Sequence, residues 1–327
     1  MSFDIRLLHA LADAEFHSGE ELGELLGVSR TAIWKQLQKI EADTGLTFES
    51  IKGRGYRLIG GIELLDENKI VSATSVSSRQ LLHRLHIVEQ IDSTNRLAME
   101  LSQSGSTRGL VVLSERQTAG RGRRGRQWVS PFARNIYCSV VWEFDAGAAA
   151  LEGLSLAVGI AVVRALEASG VCGAMLKWPN DVLHGQRKLA GILIEMMGDT
   201  SGRCQVVIGI GINVAMTNAI DAAEIDQPWI DANSIAGKSI LRNLLAANLI
   251  TQLLPLLAEF EAKGFASFRE DWSALDCMHG REIALHFGDR ILHGTAAGVN
   301  ESGALAMDTD VGRQWFHGGE VSLRLQH

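Results

Sequence analysis

Between residues 5 and 60 the apolar positions fall into three short helical stripes followed by a hairpin. Ile5, Leu8 and Leu11 keep helical spacing, and Ser18-Gly19-Glu20-Glu21 has the form of a capping box ahead of Leu22, Leu25 and Leu26. Gly27 breaks that helix. Ser29 is placed to cap the next one, whose buried stripe reads Ala32, Ile33, Leu37 and Ile40 and leaves Arg30, Thr31, Trp34 and Lys35 on other faces. Two strand-like pieces, Phe48 to Ser50 and Tyr56 to Ile59, flank Lys52-Gly53-Arg54-Gly55, whose glycines suit a tight basic turn. Helix, turn, helix and hairpin together predict a winged helix-turn-helix module over residues 1–62.

Beyond it the pattern changes twice. Over residues 66–272 strand-like runs (Leu110–Leu113, Ile136–Val141, Ile192–Ile194, Val206–Ile210) are interspersed with helical ones (Arg96–Leu101, Leu154–Leu166, Leu241–Phe260). The strands are not followed one by one by helices, which predicts a mixed α/β domain with its helices on one side of the sheet and argues against a Rossmann fold. From residue 275 to 327 only short strands remain: Ile283–Phe287, a turn at Gly288-Asp289, Ile291–His293, Leu305–Met307, Trp315-Phe316 and Val321–Leu323. They predict a small β-barrel of SH3-like size. The fold class is therefore α+β and multidomain.

Charge sharpens the N-terminal reading. Residues 1–28 carry Arg6 against Asp4, Asp13, Glu15, Glu20, Glu21 and Glu24, whereas residues 29–57 carry Arg30, Lys35, Lys39, Lys52, Arg54 and Arg57 against Glu41, Asp43 and Glu49. The positive side coincides with the third helix and the wing. A DNA-binding surface built from Ser29, Arg30, Thr31, Trp34, Lys35, Lys52 and Arg54 is the expectation; a helical protein–protein module is the alternative, and Trp34 counts against base reading if its ring packs inward. The whole chain, at a formal charge of −7, does not bind nucleic acid through its net charge.

Composition narrows the rest. With 46% hydrophobic and 21% charged residues, the chain has the makings of a sizeable core. The apolar stretch Gly153–Val163 is bracketed by Glu152 and Arg164 and is shorter than the ~20 residues of a membrane-spanning helix. No span, no secretory signal and a cytoplasmic location are expected. Four scattered cysteines (Cys138, Cys172, Cys204, Cys277) show neither zinc spacing nor a disulfide framework.

The segment richest in chemistry is Gln117-Thr118-Ala119-Gly120-Arg121-Gly122-Arg123-Arg124-Gly125-Arg126, in which arginines interleave with glycines. Backbone donors and guanidinium groups in a pliable loop suit anionic oxygens. Its formal G-x-G-x-x-G match does not open a helix, because Trp128-Val129-Ser130-Pro131 follows. An RNA-binding Arg/Gly arm is the alternative. A permissive P-loop match at Ala232–Ser239 follows a segment with two acids and a proline, not a buried strand, and is set aside. Two further runs, Lys177-Trp178-Pro179-Asn180-Asp181 and Arg187-Lys188-Leu189-Ala190-Gly191, place charge against apolar strand, with Gly191 permitting close approach of a ligand to the backbone.

With Asp92-Ser93-Thr94-Asn95 and Val207–Asn213, these motifs resemble, in order and over nearly the whole chain, the bifunctional biotin–protein ligase and biotin-operon repressor family. The resemblance implies a ligase that activates biotin with ATP as biotinyl-5′-AMP, with Mg²⁺ assisting, and transfers it to a lysine of the biotin carboxyl carrier protein of acetyl-CoA carboxylase. It implies catalytic roles for Arg121, Arg123 and Lys188. Biotin contacts are implied for Ser93, Thr94, Asn95, Gln117, Arg121, Gly122, Arg123, Lys188 and Gly191. On the ATP side it implies Gly120, Arg124, Lys177, Asn180, Asp181, Asn213 and Trp229, with Asp181 serving the metal. It further implies that the adenylate promotes a homodimer that binds operator DNA. A ligase with a vestigial N-terminal domain and a lipoate-type acyl-adenylating ligase are the two alternatives.

Overall fold

The computed structural model describes residues 4–103, 107–145, 147, 151–197, 204–216, 225–287, 290–318 and 322–325. The predicted Gly288-Asp289 turn and Val321 lie outside the described residues.

The N-terminal region forms as the pattern predicts: α1 (Ile5–Leu11), α2 (Gly19–Leu26), α3 (Arg30–Thr44) and the antiparallel pair β1 (Phe48–Ile51) and β2 (Gly55–Leu58). Ser18 Oγ accepts from the Glu21 amide at 3.0 Å and Ser29 Oγ from that of Ala32 at 3.3 Å, satisfying amides that the first turns leave without partners. Gly27 ends α2 with φ +68°. Gly55 is obligatory: φ is +105°, and a Cβ there would lie 2.0 Å from the His17 carbonyl oxygen. Leu8, Leu11, Leu22, Ile33, Leu37, Ile40 and Leu58 pack into one core, which also takes in Phe132 and Ala133 from the chain beyond the glycine loop.

Residues 63–66 lead into α4 (Glu67–Ala73) and α5 (Val76–Leu81), and then into a seven-stranded sheet. In chain order its strands are β3 (Arg84–Ile91), β4 (Leu110–Gln117), β5 (Asn135–Phe144), β6 (Met175–Lys177), β7 (Asp181–His184), β8 (Arg187–Met197) and β9 (Cys204–Asn213). The spatial order is β3-β4-β5-β9-β8-β7-β6; only β3 and β4 run parallel, so the sheet is mixed. On one face lie α7 (Leu154–Ala168) and α9 (Arg242–Lys263), burying Val111, Leu113, Val140, Ile208 and Ile210. The expectation that all helices share one side fails, because α6 (Thr94–Ser102) packs on the opposite face. The strict alternation of β4 makes this possible: Leu110 and Val112 point to α6 while Val111 and Leu113 point to α7 and α9. The short α8 (Ala232–Ala236) is capped by the buried Asp231, which accepts from Ser234 and Met216 amides, so the Lys238-Ser239 match is no phosphate loop.

By length and composition α9 is apolar enough to cross a membrane. Here it is a core helix, with Leu249, Ile250, Leu253, Leu257 and Phe260 buried. Its first turn is fixed by Arg242, whose guanidinium meets Glu115 at 2.7 Å and the Asn135 carbonyl at 2.9 Å in a site where both charged side chains are 4% exposed.

After α10 (Arg269–Leu275) come β10 (Glu282–Phe287), β11 (Arg290–Val299), β12 (Leu305–Thr309), β13 (Gly312–Phe316) and β14 (Ser322–Leu325). They form an antiparallel sheet in the order β13-β12-β11-β10-β14; among the described residues no ladder joins β13 to β14, so the predicted barrel is observed as an open five-stranded sheet. Trp178 donates its indole N–H to the Gly303 carbonyl at 3.1 Å, and the Cys277 amide donates to Leu176. The first bond brings Gly303 against the turn between β6 and β7, and the second ties the chain before β10 to β6.

Candidate active site

Three pieces of chain converge at the centre of the sheet: the start of α6, the glycine loop after β4, and the facing strands β8 and β9. They enclose a cavity of about 60 Å³ lined by Ser93, Thr94, Asn95, Gln117, Arg121, Gly122, Arg123, Asn180, Lys188 and Gly191, ten of the residues singled out from the sequence. A second, more open cleft of about 580 Å³ lies on the loop itself and adds Gly120, Arg124, Gly125 and Arg126.

The polar end is a network with little slack. The Thr94 amide and hydroxyl both donate to Gln117 Oε1, at 2.9 and 3.1 Å, and Gln117 Nε2 reaches Ser130 at 3.3 Å. Ser139 Oγ lies 2.8 Å from Thr94 Oγ1 and 2.6 Å from Asn95 Oδ1; Asn95 Nδ2 in turn donates to Glu195 at 2.7 Å. Ser93 precedes α6 without making a capping bond, so its hydroxyl is not spent on the helix.

The cationic end is built from the loop and β8. Gly122 and Arg126 close the loop by a backbone bond of 2.7 Å, and Trp128 returns to Gly120 at 2.9 Å. A Cβ on Gly120 would lie 2.5 Å from the Trp128 carbonyl oxygen, so that close return needs glycine. Arg123 donates to Asn180 Oδ1 at 3.0 Å and to the Gly318 carbonyl, which ties the loop to the β6–β7 turn and to the C-terminal sheet. Burial lowers the pKa of Arg123 from its ordinary value, with Asp181 opposing the shift. Arg121 is more exposed and pairs with Glu195 at 3.1 Å. Lys188 Nζ lies 2.7 Å from Asp181 Oδ1.

The remaining predicted residues stand behind this surface. Lys177 faces Asp181 across β6 and β7, outside the cavity wall, and burial lowers its pKa from the usual lysine value. Asn213 is 4% exposed and donates to the Lys188 and Ile230 carbonyls at 3.3 and 3.2 Å, so it braces the segment carrying Trp229 instead of lining the cavity. Trp229 is half-buried beside Lys188, to which its backbone is bridged. In the N-terminal module Trp34 does not pack inward: it is 47% exposed. Arg54 lies with its guanidinium 4.1 Å from the Phe16 ring centroid.

The apolar wall is what sequence reasoning missed. Gly209 and Gly211 alternate along β9, and Gly211 faces Gly191 across the ladder to β8. Cβ atoms on Gly209 and Gly211 would lie 2.4 Å from Asn95 Oδ1 and from Trp128 Cε2 respectively. Glycine at every second position of a buried strand is the legible signal, because it strips one face of side chains. Into the space so made Trp128 lays its ring, with Lys188 Nζ 5.5 Å from the ring centroid and its indole N–H buried without a partner among the described residues. Cys138 completes the wall; burial pushes its thiol up to about 12.

A slot with a hydrogen-bonding end, an apolar wall and three cations on its lining suits an acid with an apolar body held beside phosphate. Residues 87–213 match the Biotin/lipoate A/B protein ligase family, residues 5–57 a helix-turn-helix domain and residues 278–324 the biotin protein ligase C-terminal domain. The bifunctional ligase/repressor BirA of Salmonella typhimurium is 41% identical over 98% of this chain and 97% of its own, and that of Escherichia coli is 40% identical over the same shares. A structure of biotin protein ligase from Aquifex aeolicus in complex with biotin and ATP matches with a TM-score of 0.65 at 29% identity, covering 75% of this chain and 100% of that one. The chain belongs to the bifunctional biotin ligase/repressor family.

Proposed function

We propose that this cavity joins biotin to the α-phosphate of ATP and passes the biotinyl group to a lysine of a carrier protein, and that the N-terminal module uses the retained adenylate to repress biotin synthesis genes. The observation that carries this is the convergence of Arg121, Arg123 and Lys188 on one slot whose far end is polar and whose wall is glycine. A carboxylate and a triphosphate repel each other, and fixed cations placed where phosphoryl oxygen gathers charge offset that repulsion. A biotin carboxylate oxygen attacks the α-phosphorus and the bond to the β-phosphate breaks, releasing pyrophosphate. The carrier amine then attacks the biotinyl carbonyl carbon, and the bond to the AMP oxygen breaks.

In this reading Lys188 and Arg123 hold the reacting carboxylate and phosphate, while Arg121 covers them from the loop. Ser93, Thr94, Asn95 and Gln117 meet the ureido head of biotin, and Gly122 and Gly191 admit its chain. Gly120, Arg124, Lys177 and Asn180 serve the phosphates. Trp229 stacks on adenine, with Asn213 holding its segment in place. Asp181 is a single carboxylate, and among the described residues no three potential metal ligands cluster. That donor set fits Mg²⁺, which takes most of its ligands from phosphates and water. Closing the glycine loop over the bound acid and nucleotide keeps water from the mixed anhydride.

The assignment extends to the whole chain: a DNA-binding domain over 1–62, a catalytic domain over 66–272 and a C-terminal SH3-like domain over 275–327. The adenylate-loaded chain dimerises and sets two winged helices on one operator in the cytoplasm. Because the adenylate favours the dimer, dimerisation must in turn tighten the adenylate. Pyrophosphate exchange into ATP, run separately with biotin and lipoate, tests the ligase: exchange with biotin alone supports it, and equal exchange with lipoate refutes the substrate. Fluorescence anisotropy on the DNA upstream of the host's biotin synthesis genes tests the repressor. Binding should require biotin and ATP and weaken with salt as contacts from Arg30, Lys35 and Lys52 release counterions, with a log–log slope of about −0.9 per contact. Absence of biotin-dependent binding at low salt would leave a ligase with a vestigial N-terminal domain.

A further inference from the structure

The outer face of α3 carries a side chain that neither the ligase chemistry nor phosphate contact explains. Ile33, Leu37 and Ile40 face the core. Thr31, Trp34, Lys35 and Gln38, spaced i, i+3, i+4 and i+7, form one solvent-facing stripe, flanked by the exposed Arg30 and Lys39. Arg30, Lys35 and Lys39 form no ion pair among the described residues, so the face is positive and available to an anionic partner. At its centre the Trp34 ring is 47% exposed and has no ring or hydrogen-bond partner among the described residues.

On a helix laid in the major groove, as the DNA-binding reading has it, the broad apolar face of an indole is matched by one feature. Guanine, cytosine and adenine offer polar edges in that groove, whereas thymine alone adds a methyl group. We propose that Trp34 is a specificity-determining residue that reads a thymine C5-methyl in each half-site of the operator, while Arg30, Lys35 and Lys39 hold the phosphates on either side. This rests on the DNA-binding reading above and deepens it by naming what the helix selects.

The test uses the full chain with biotin and ATP. Duplexes are enriched from a random library, and each thymine of the selected site is then replaced singly by deoxyuridine, which removes only the methyl group. One symmetry-related pair of positions should respond, each replacement weakening binding about fourfold, the worth of one buried methyl-sized group. Trp34→Ala should abolish that response while keeping a salt-dependent affinity for DNA, and Trp34→Phe should retain part of it. Two results overturn the inference: wild-type protein indifferent to every thymine-to-deoxyuridine change, or a Trp34→Ala protein that keeps the same sensitive pair. If no sequence is enriched at all, the DNA-binding reading falls and the inference with it, and that failure is distinguishable because no operator then exists to substitute.

Discussion

Replacing Lys188 with alanine tests the chemistry most directly. Its ammonium lies 2.7 Å from Asp181 Oδ1, and the two side chains are 15% and 20% exposed, so neither is freely solvated. Removing a group that faces developing charge costs about 2.7–4 kcal/mol, or 10²–10³ in rate. Here the upper end applies. Lys188→Ala leaves the Asp181 carboxylate behind and turns a neutral pair into a net negative charge where two anions must meet. We therefore expect biotin-dependent pyrophosphate exchange to fall about 10³-fold. Because the pair is largely buried, losing one partner also costs stability, so exchange is measured well below the melting transition of each variant. An exchange rate near wild type in Lys188→Ala, or activity lost only because the melting transition disappears, would refute the argument.

Three other expectations follow from the structure. Arg123→Gly cuts the loop's side-chain ties to Asn180 and Gly318, so adenylate should escape and label exposed lysines indiscriminately; mass spectrometry showing wild-type retention and labelling confined to the carrier lysine would contradict this. Of the thiols, exposed Cys172 should react with a disulfide reagent at once, whereas Cys138 should stay protected until unfolding. Because burial holds the Cys138 thiol near 12 and that of Cys277 near 11, the unfolded chain releases these protons first as pH rises past 9. The folded state then loses stability, and the urea midpoint should be lower at pH 10 than at pH 8.

Much of this architecture is visible in the order of residues, for identifiable reasons. Ser18, Gly27 and Ser29 act locally, and local capping chemistry places α2 and α3 without reference to the rest of the chain. The cationic loop could be read because arginine alternating with glycine has few structural uses. Strand β3 is obscured because it lies at the sheet edge with only Leu85 fully buried, so polar residues interrupt its pattern. The position of α6 depends on which face of β4 it covers, a choice made by packing and not by its own sequence. The alternation of Gly209 and Gly211 is visible, but what it makes room for emerges only once β9 is seen to face Trp128 and Asn95. Whether Trp34 points inward or outward is likewise decided by its neighbours.

The insertion of Phe132 and Ala133 into the N-terminal core bears on how the protein is made. Phe132 is 1% exposed, and it lies about seventy residues beyond Ile62, the end of the N-terminal module. As the nascent chain emerges, the three helices and hairpin appear first with a gap in their core that only later-synthesised chain can fill. Domains generally fold as units during synthesis, N-terminal first. Here the first unit finishes packing only after the glycine loop has also been made. A chain cut between the two parts would consequently leave the Phe132 ring uncovered on one fragment and the apolar surface it covers exposed on the other.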